Sequence, residues 1–304
     1  MRREKRPGDL GFVVLLSALV VASLVAPAAM AGPEAQVASQ AQKNVEAPLL
    51  RLPSGKAVSR TNYVAGDDAD VLNAFRPFYE TSKIHYLENP DESGAKGSHY
   101  RDVLAIRARA KASGQSPAAL LTDMEIAAVV GYTEKDYYRT NGYLWRDQFE
   151  DDKHETALLT EAKALFLHSA LNKLPVFKKA VIRGDGFPSV QPQDPAKEWE
   201  ETERRFNAVP EAGGTYVFKG FMSTTRGEGE YARHAYVDNA KMHTIIEESK
   251  SGRLIEEIST KPLEEEVLFS PRTEFVVLKK EIVKVTPTAE YPFDHRFVVH
   301  LREK

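Results

Sequence analysis

Cysteine is absent from the 304-residue sequence, which excludes disulfides, thiolate metal sites and a cysteine nucleophile. It also excludes a lipid-modified cysteine at a processed amino terminus. A charge excess is missing too. The 41 basic residues face 44 acidic ones, and a net charge of -3 gives no electrostatic footprint for nucleic acid. No internal repeat is evident, and no Gly-x-Gly-x-x-Gly lies between a strand-like and a helix-like segment, which argues against a doubly wound dinucleotide fold. Beyond Ala26 no apolar run approaches membrane-spanning length. What is present, 42% hydrophobic, 28% charged and 9% aromatic residues, is the balance of a folded chain.

The amino terminus reads as an address. Arg2, Arg3, Lys5 and Arg6 precede an apolar run from Leu10 to Ala26, roughly 26 Å long as a helix and a little short of the ~30 Å hydrocarbon core. Ala29-Met30-Ala31 supplies small residues where a signal peptidase reads. Residues 1–31 are therefore expected to be a signal peptide cleaved after Ala31, with an uncleaved anchor as the alternative. Cleavage removes four basic and two acidic residues and moves the net charge from -3 to -5. Residues 32–60, rich in Ala, Gln, Pro and Ser, read as a linker.

Texture divides the remainder, 61–304. Thr122 and Glu125 have capping-box spacing ahead of Ile126, Val129 and Val130, with Gly131 as the expected stop. Leu158, Ala162, Leu165 and Phe166 repeat at helical spacing in a segment that must end before Pro175. After this the period changes. Val176–Arg183, Thr215–Met222, Glu266–Phe269, Glu274–Val285 and Arg296–Leu301 are short runs rich in Val, Ile, Phe and Tyr, and are expected to be strands. Helices to about 175 followed by a β core over 176–304 make an α+β domain.

Three polar constellations fall at the ends of expected strands. Arg183 closes an apolar strand and is followed by Gly184-Asp185-Gly186, where missing side chains let a ligand approach the backbone. A guanidinium there can clamp a phosphate or carboxylate through two parallel hydrogen bonds, or simply pair with a structural acid. Arg183-Gly184-Asp185 is also an integrin-type tripeptide, but a strand end is a poor place for a protruding adhesion loop. Ser223-Thr224-Thr225 offers three hydroxyls able to fix carboxylate rotamers. Glu264-Glu265-Glu266, read as extended chain, puts Glu264 and Glu266 on one face, roughly 6–7 Å apart, and Glu265 on the other. Two such carboxylates can divide labour, one facing a developing cation and one taking a proton. Each constellation alone is ordinary.

Their order and frames together resemble the mono-ADP-ribosyltransferase superfamily, in its arginine–serine–glutamate group of bacterial toxins and effectors. Arg183 matches the strand-end arginine, Ser223-Thr224-Thr225 the Ser-Thr-Ser motif and Glu264-Glu265-Glu266 the Glu-x-Glu turn. Lys219-Gly220-Phe221-Met222 leads into the serine motif, and Pro271 to Val277 carries the proline–threonine–phenylalanine pattern that follows the acidic turn. Upstream, Gly131-Tyr132-Thr133, Tyr138, Asn141 and Leu144 look like the group's helical segment, and Leu171-Asn172-Lys173-Leu174-Pro175 like its lead into the first catalytic strand. The resemblance covers about Leu120 to Leu301. It departs at Trp145, which displaces the usual arginine to Arg146, and at Thr225, which retains the hydroxyl. Thr61 to Ala118 has no match. Vertebrate surface members usually carry disulfides, so a cysteine-free chain fits a bacterial exported effector or toxin better.

The resemblance implies a helical part packed on a two-sheet, mostly antiparallel β core, and NAD as co-substrate with no metal. It implies that Glu266 holds the ribose 2′-hydroxyl and faces the ribosyl cation. Arg183, with Gly184 beside it, would grip the NAD phosphates or adjoining ribose, and Ser223 would orient Glu266. Thr224 and Thr225 complete the NAD pocket, Tyr236 packs against nicotinamide, and Glu264 serves the nucleophile. One of the two carboxylates should titrate high, because they repel each other. A glutamate at the first motif position accompanies arginine-modifying members, so a protein arginine is the expected acceptor. The expected partners are NAD and a host protein, acting on a monomer without nucleic acid. The alternatives are an NAD glycohydrolase, in which water replaces the acceptor, and an inactive member of the fold that only binds a host protein.

Overall fold

The computed structural model describes residues 49–90, 97–146, 155–186 and 195–304, all within one compact unit spanning 47–304. The expected signal peptide and the first part of the expected linker lie outside the described residues. The linker's end does not behave as one. Leu49–Arg51 (β1) and Ala57–Ser59 (β2) pair antiparallel, with Leu50, Leu52 and Val58 buried in the core. Leu50 and Leu52 flank Arg51 with the period of two that a half-buried strand requires, around a Pro-Ser-Gly turn.

A helical part follows. In α1 (Ala69–Glu88) Asp68 accepts the Val71 amide hydrogen bond as N-cap, and Val71, Phe75 and Tyr79 form one buried stripe. Ser98–Ser113 (α2) ends on Gly114. Asp123–Gly131 (α3) starts with the full capping box: Thr122 Oγ1 accepts from the Glu125 amide at 3.2 Å, and Glu125 Oε2 accepts from the Thr122 amide at 2.8 Å. Gly131 does not stop this helix, contrary to the sequence reading. The chain runs on through a π-helical turn, Tyr132–Asp136, into Tyr137–Arg146 (α4). The glycine serves close approach instead, since a Cβ there would stand 2.7 Å from Asp136 Oδ2 and 3.2 Å from His99 Nε2. Ala157–Lys173 (α5), capped by Thr156, is buried from Thr160 through Leu171 and ends before Pro175 as expected. Phe75, Ile126, Leu165 and Phe166 knit these helices into one core, which reaches Phe221 and Leu268 on the sheet.

The remaining strands are β3 (Val181–Asp185), β4 (Thr215–Phe218), β5 (Met222–Thr225), β6 (Met242–Ile246), β7 (Arg253–Leu254), β8 (Glu266–Phe269), β9 (Thr273–Lys284) and β10 (His295–Glu303). They form one sheet in the order β4-β9-β10-β6-β3-β5-β8-β7, antiparallel except for β10 on β6. β3 and β5 share one residue pair, Ile182↔Thr225, so the sheet divides there into a five-strand and a three-strand half. This is the helical-plus-β architecture the resemblance implies. A second core, with Met222, Met242, Val267, Phe275 and Phe297, lies along the strands.

Two strand assignments shift. β3 starts at Val181, Val176 making only an isolated bridge to Arg253. The expected strand Thr215–Met222 breaks between β4 and β5, because the Phe221 amide is taken by Asn141 Oδ1 at 2.8 Å rather than by a neighbouring strand. Gly220 permits that, since a Cβ there would stand 2.5 Å from Asn141 Oδ1. β6, β7 and the helix Pro195–Ala208 (α6) were not anticipated. Phe206 of α6 stacks on Phe297 of β10, and Trp199 packs tilted against the same ring at 5.0 Å.

Candidate active site

The site forms where the two halves of the sheet meet. In register, Ile182 stands opposite Thr225, and Thr225 opposite Glu266. Arg183 and Ser223 therefore fall one and two residues from the junction, on adjacent strands. The resulting cleft has a volume of about 390 Å³, and its lining includes Arg183, Gly184, Ser223, Thr224, Thr225, Tyr236, Glu264 and Glu266. Every residue proposed from the sequence as catalytic or cofactor-binding lines this one cleft.

The Arg183 guanidinium is built into the junction. Its Nε lies 3.0 and 2.9 Å from the two Asp185 carboxylate oxygens, its Nη2 donates to Oδ1 at 2.7 Å, and its Nη1 donates to the Ser223 carbonyl at 2.9 Å. Its Cζ sits 5.5 Å from the centre of the Phe218 ring. Burial disfavours its charge, but the Asp185 carboxylate outweighs burial and holds the guanidinium above its ordinary value. Of the five guanidinium N–H donors, two remain for an anionic ligand.

The acidic turn is not extended. Pro262–Glu264 is a single 3-10 turn, and Glu265 follows in the left-handed region at φ 51°. The strict alternation read from the sequence therefore fails, yet its outcome survives: Glu264 and Glu266 both line the cleft while Glu265 turns away. Glu265 Oε2 accepts the amides of Glu228 and Gly229 at 2.8 and 3.0 Å, and Arg226 pairs with Oε1 at 3.3 Å. Burial alone would raise this carboxyl, but those amides and Arg226 keep it below its ordinary value. Glu265 is the pin that holds the turn.

Glu266 opens β8 and is 5% exposed. Burial pushes its carboxyl from 4.5 up to about 7. A hydrogen bond from Ser223 opposes this and the Glu264 charge reinforces it. The high-titrating member of the pair is thus the one facing the expected cation. Glu264 accepts a hydrogen bond from the Tyr236 hydroxyl, and Lys261 Nζ lies 3.6 Å from its Oε1. Burial and that hydrogen bond both push the Tyr236 hydroxyl up, so it stays a donor. Tyr236, on the π-helical turn His234–Asp238 that continues the short helix Glu230–Arg233 (α7), therefore holds a carboxylate as well as lining the cleft.

The serine-motif residues divide their work. The Thr224 hydroxyl donates to the Val267 carbonyl at 2.7 Å and that of Thr225 to the Glu264 carbonyl at 2.9 Å, so both clamp the acidic segment. The helical part contributes Tyr132, Thr133, Tyr137 and Asn141 to the lining. Asn141 Nδ2 donates to the Tyr132 hydroxyl and to the Phe221 carbonyl, each at 3.1 Å, and ties α4 to the strand carrying the serine motif. Of the two adjacent tyrosines, Tyr137 lines the cleft while Tyr138 stands 56% exposed beside Arg139. Consecutive residues of a helix point about 100° apart, which separates these neighbours. Phe218 and Lys261 carried no signal beyond closeness to the motifs.

A family model described as ADP-ribosyltransferase exoenzyme matches residues 107–296. No curated protein matches the sequence. Among solved structures, the ADP-ribosyltransferase HopU1 of Pseudomonas syringae pv. tomato DC3000 is 19% identical with a TM-score of 0.50, over 81% of this chain and all (100%) of that one. The type III effector XopAI of Xanthomonas axonopodis pv. citri is 16% identical with a TM-score of 0.47, over 80% and 84% of the two chains. The Vis toxin of Vibrio splendidus, an ADP-ribosyltransferase, is 20% identical with a TM-score of 0.42, over 72% and 90%.

Proposed function

Since the chain belongs to the ADP-ribosyltransferase exoenzyme family, which uses NAD as co-substrate, we propose that it transfers ADP-ribose from NAD to an arginine side chain of a host protein and releases nicotinamide. The observation that carries this reading is the pairing of a deeply buried carboxyl, Glu266, with a second carboxylate, Glu264, oriented by Tyr236, in one cleft that also holds Arg183. In such a reaction the ribose–nicotinamide bond breaks with its electron pair leaving on nicotinamide, and positive charge develops on the ribose. A preorganised Glu266 carboxylate stabilises that charge more in the transition state than in the ground state. Arg183 keeps two donors for the NAD phosphates, and Ser223 sets the rotamer of Glu266. A guanidinium nitrogen of the acceptor then attacks the ribose carbon. Because that guanidinium starts protonated, Glu264 takes the proton it loses.

Residues 1–31 direct export in this reading, with cleavage after Ala31. The test is incubation of the chain from Gly32 with labelled NAD and agmatine, a free guanidinium acceptor. Labelled agmatine with stoichiometric nicotinamide is the expected result. Nicotinamide release without labelled agmatine or labelled protein from a eukaryotic lysate would establish the glycohydrolase reading, and neither product would establish the inactive one.

A further inference from the structure

A second cavity, of about 820 Å³, lies away from the catalytic cleft, and its lining is strongly cationic. Consecutive residues of β4 face the two cavities, Phe218 the cleft and Val217 the second basin. The segment after β8 opens into it as well, whereas Glu266 at the head of that strand faces the cleft. Arg51, Arg60, Lys250, Arg253, Arg272 and Lys304 converge on the basin from β1, the chain after β2, the approach to β7, β7 itself, the turn before β9 and the carboxyl terminus. Against these six stand two carboxylates, Glu274 and Glu303, and both are committed. Glu274 pairs with Lys304 at 3.0 Å, and Glu303 Oε2 accepts the Lys250 and Ser251 amides at 2.6 and 2.9 Å.

Two of the cations are held rigidly. Arg60 donates to the carbonyls of Pro271 and Arg272 at 2.9 and 3.1 Å, and Arg253 Nε donates to the Leu171 carbonyl at 2.9 Å. Nη1 of Arg253 is buried and finds no hydrogen-bond partner among the described residues. Burial pulls both guanidinium groups below their ordinary value, although Glu303 pushes the other way. A buried donor on a charged group left unpaired is costly, and native structures rarely leave one without a water, an ion or a functional role to account for it. Arg272 is held in the left-handed region at φ 58°, a conformation a non-glycine residue adopts at a cost. Arg51 and Lys250 are exposed at the rim, with no ion-pair partner among the described residues.

We propose that this basin is a second ligand site, for a compact, multiply charged oxyanion of the polyphosphate type. Four of its six cations are arginines, whose planar donor fork matches phosphate oxygens in pairs. Its concavity and volume are those of a small-molecule site rather than of the flat basic face that meets a duplex or a membrane. The site is independent of the transfer chemistry.

Inorganic tripolyphosphate is the probe, titrated calorimetrically into the folded chain at fixed ionic strength. Wild type should bind at one site. Arg183→Lys, which disables the anion clamp of the catalytic cleft, should leave that affinity within about two-fold. The double variant Arg51→Glu/Lys250→Glu, confined to exposed rim residues, should weaken it on the order of 100-fold, roughly ten-fold for each charge-assisted hydrogen bond removed. Arg253→Gln should abolish the rise in Tm that the anion gives wild type, and so reads the buried wall separately. Absent binding to wild type, binding abolished by Arg183→Lys, or binding unchanged in the rim variant would each overturn the proposal.

Discussion

Replacing Glu266 by glutamine should move stability and activity in opposite directions, each with its own pH dependence. The carboxyl titrates at 4.5 when unfolded and at about 7 when folded, chiefly because burial disfavours its charge. Between those values the folded state holds a proton that the unfolded state has released, so stability falls as pH rises through this window. At about 1.36 kcal/mol for each pH unit, ionising Glu266 costs the folded protein about 3 kcal/mol above pH 7. Glutamine has the same shape, still accepts the Ser223 hydrogen bond and carries no such cost. Glu266→Gln should therefore unfold later than wild type at pH 8, by roughly 6–12 °C for a domain of this size. Most of that gain should vanish at pH 5. Catalysis should show the reverse: wild-type kcat/KM for NAD should rise with pH through about 7 as the carboxylate forms. The variant should lose on the order of 10²-fold or more above pH 7, and the deficit should shrink below it as wild-type Glu266 itself becomes protonated. Differential scanning calorimetry at the two pH values and nicotinamide release measure these effects. A variant less stable than wild type at pH 8, or equally stabilised at both pH values, would refute the assignment of the buried charge.

Glu264→Gln should uncouple the two activities, sparing much of the NAD hydrolysis while transfer to agmatine falls about 10²-fold, because water needs no base to attack a formed cation but a guanidinium does; equal losses would mean that the carboxylates act as a unit. Tyr236→Phe should lower transfer about ten-fold with little change in hydrolysis, since it frees Glu264 without neutralising it, and a proportional fall in both would show that Tyr236 instead serves the NAD side. Asn141→Ala should cost about 1–3 kcal/mol in urea unfolding, because the buried Phe221 amide and carbonyl both lose a partner; an unchanged midpoint would remove the α4 tie from the account. Amino-terminal sequencing of exported protein should begin at Gly32, and a Met1 start would overturn the cleavage site.

Three short-range signals in this sequence came through intact. The capping box at Thr122 and Glu125, the helix end before Pro175 and strand β8 all stand where short-range pattern placed them, because caps and alternation are decided within a few residues. The motif residues Arg183, Ser223, Glu264 and Glu266, singled out by residue type and order, come together in one cleft, though Arg183 and Ser223 lie within their strands and Glu264 in a turn rather than at strand ends. What the sequence did not decide is how they are held. Gly131 reads as a stop, but His99 and Asp136 crowd it, and the helix runs on through a π turn into the segment that brings Tyr137 to the cleft. Glu264 and Glu266 share a face because Glu265, pinned by Arg226 and two amides far along the chain, takes a left-handed conformation that no alternation rule foresees. Tyr236 reaches Glu264, Asn141 reaches Phe221, and six cations gather in one basin only after the strands have paired. Those interactions join residues tens to hundreds of positions apart, and their geometry is set by register and packing, which exist only in the assembled fold.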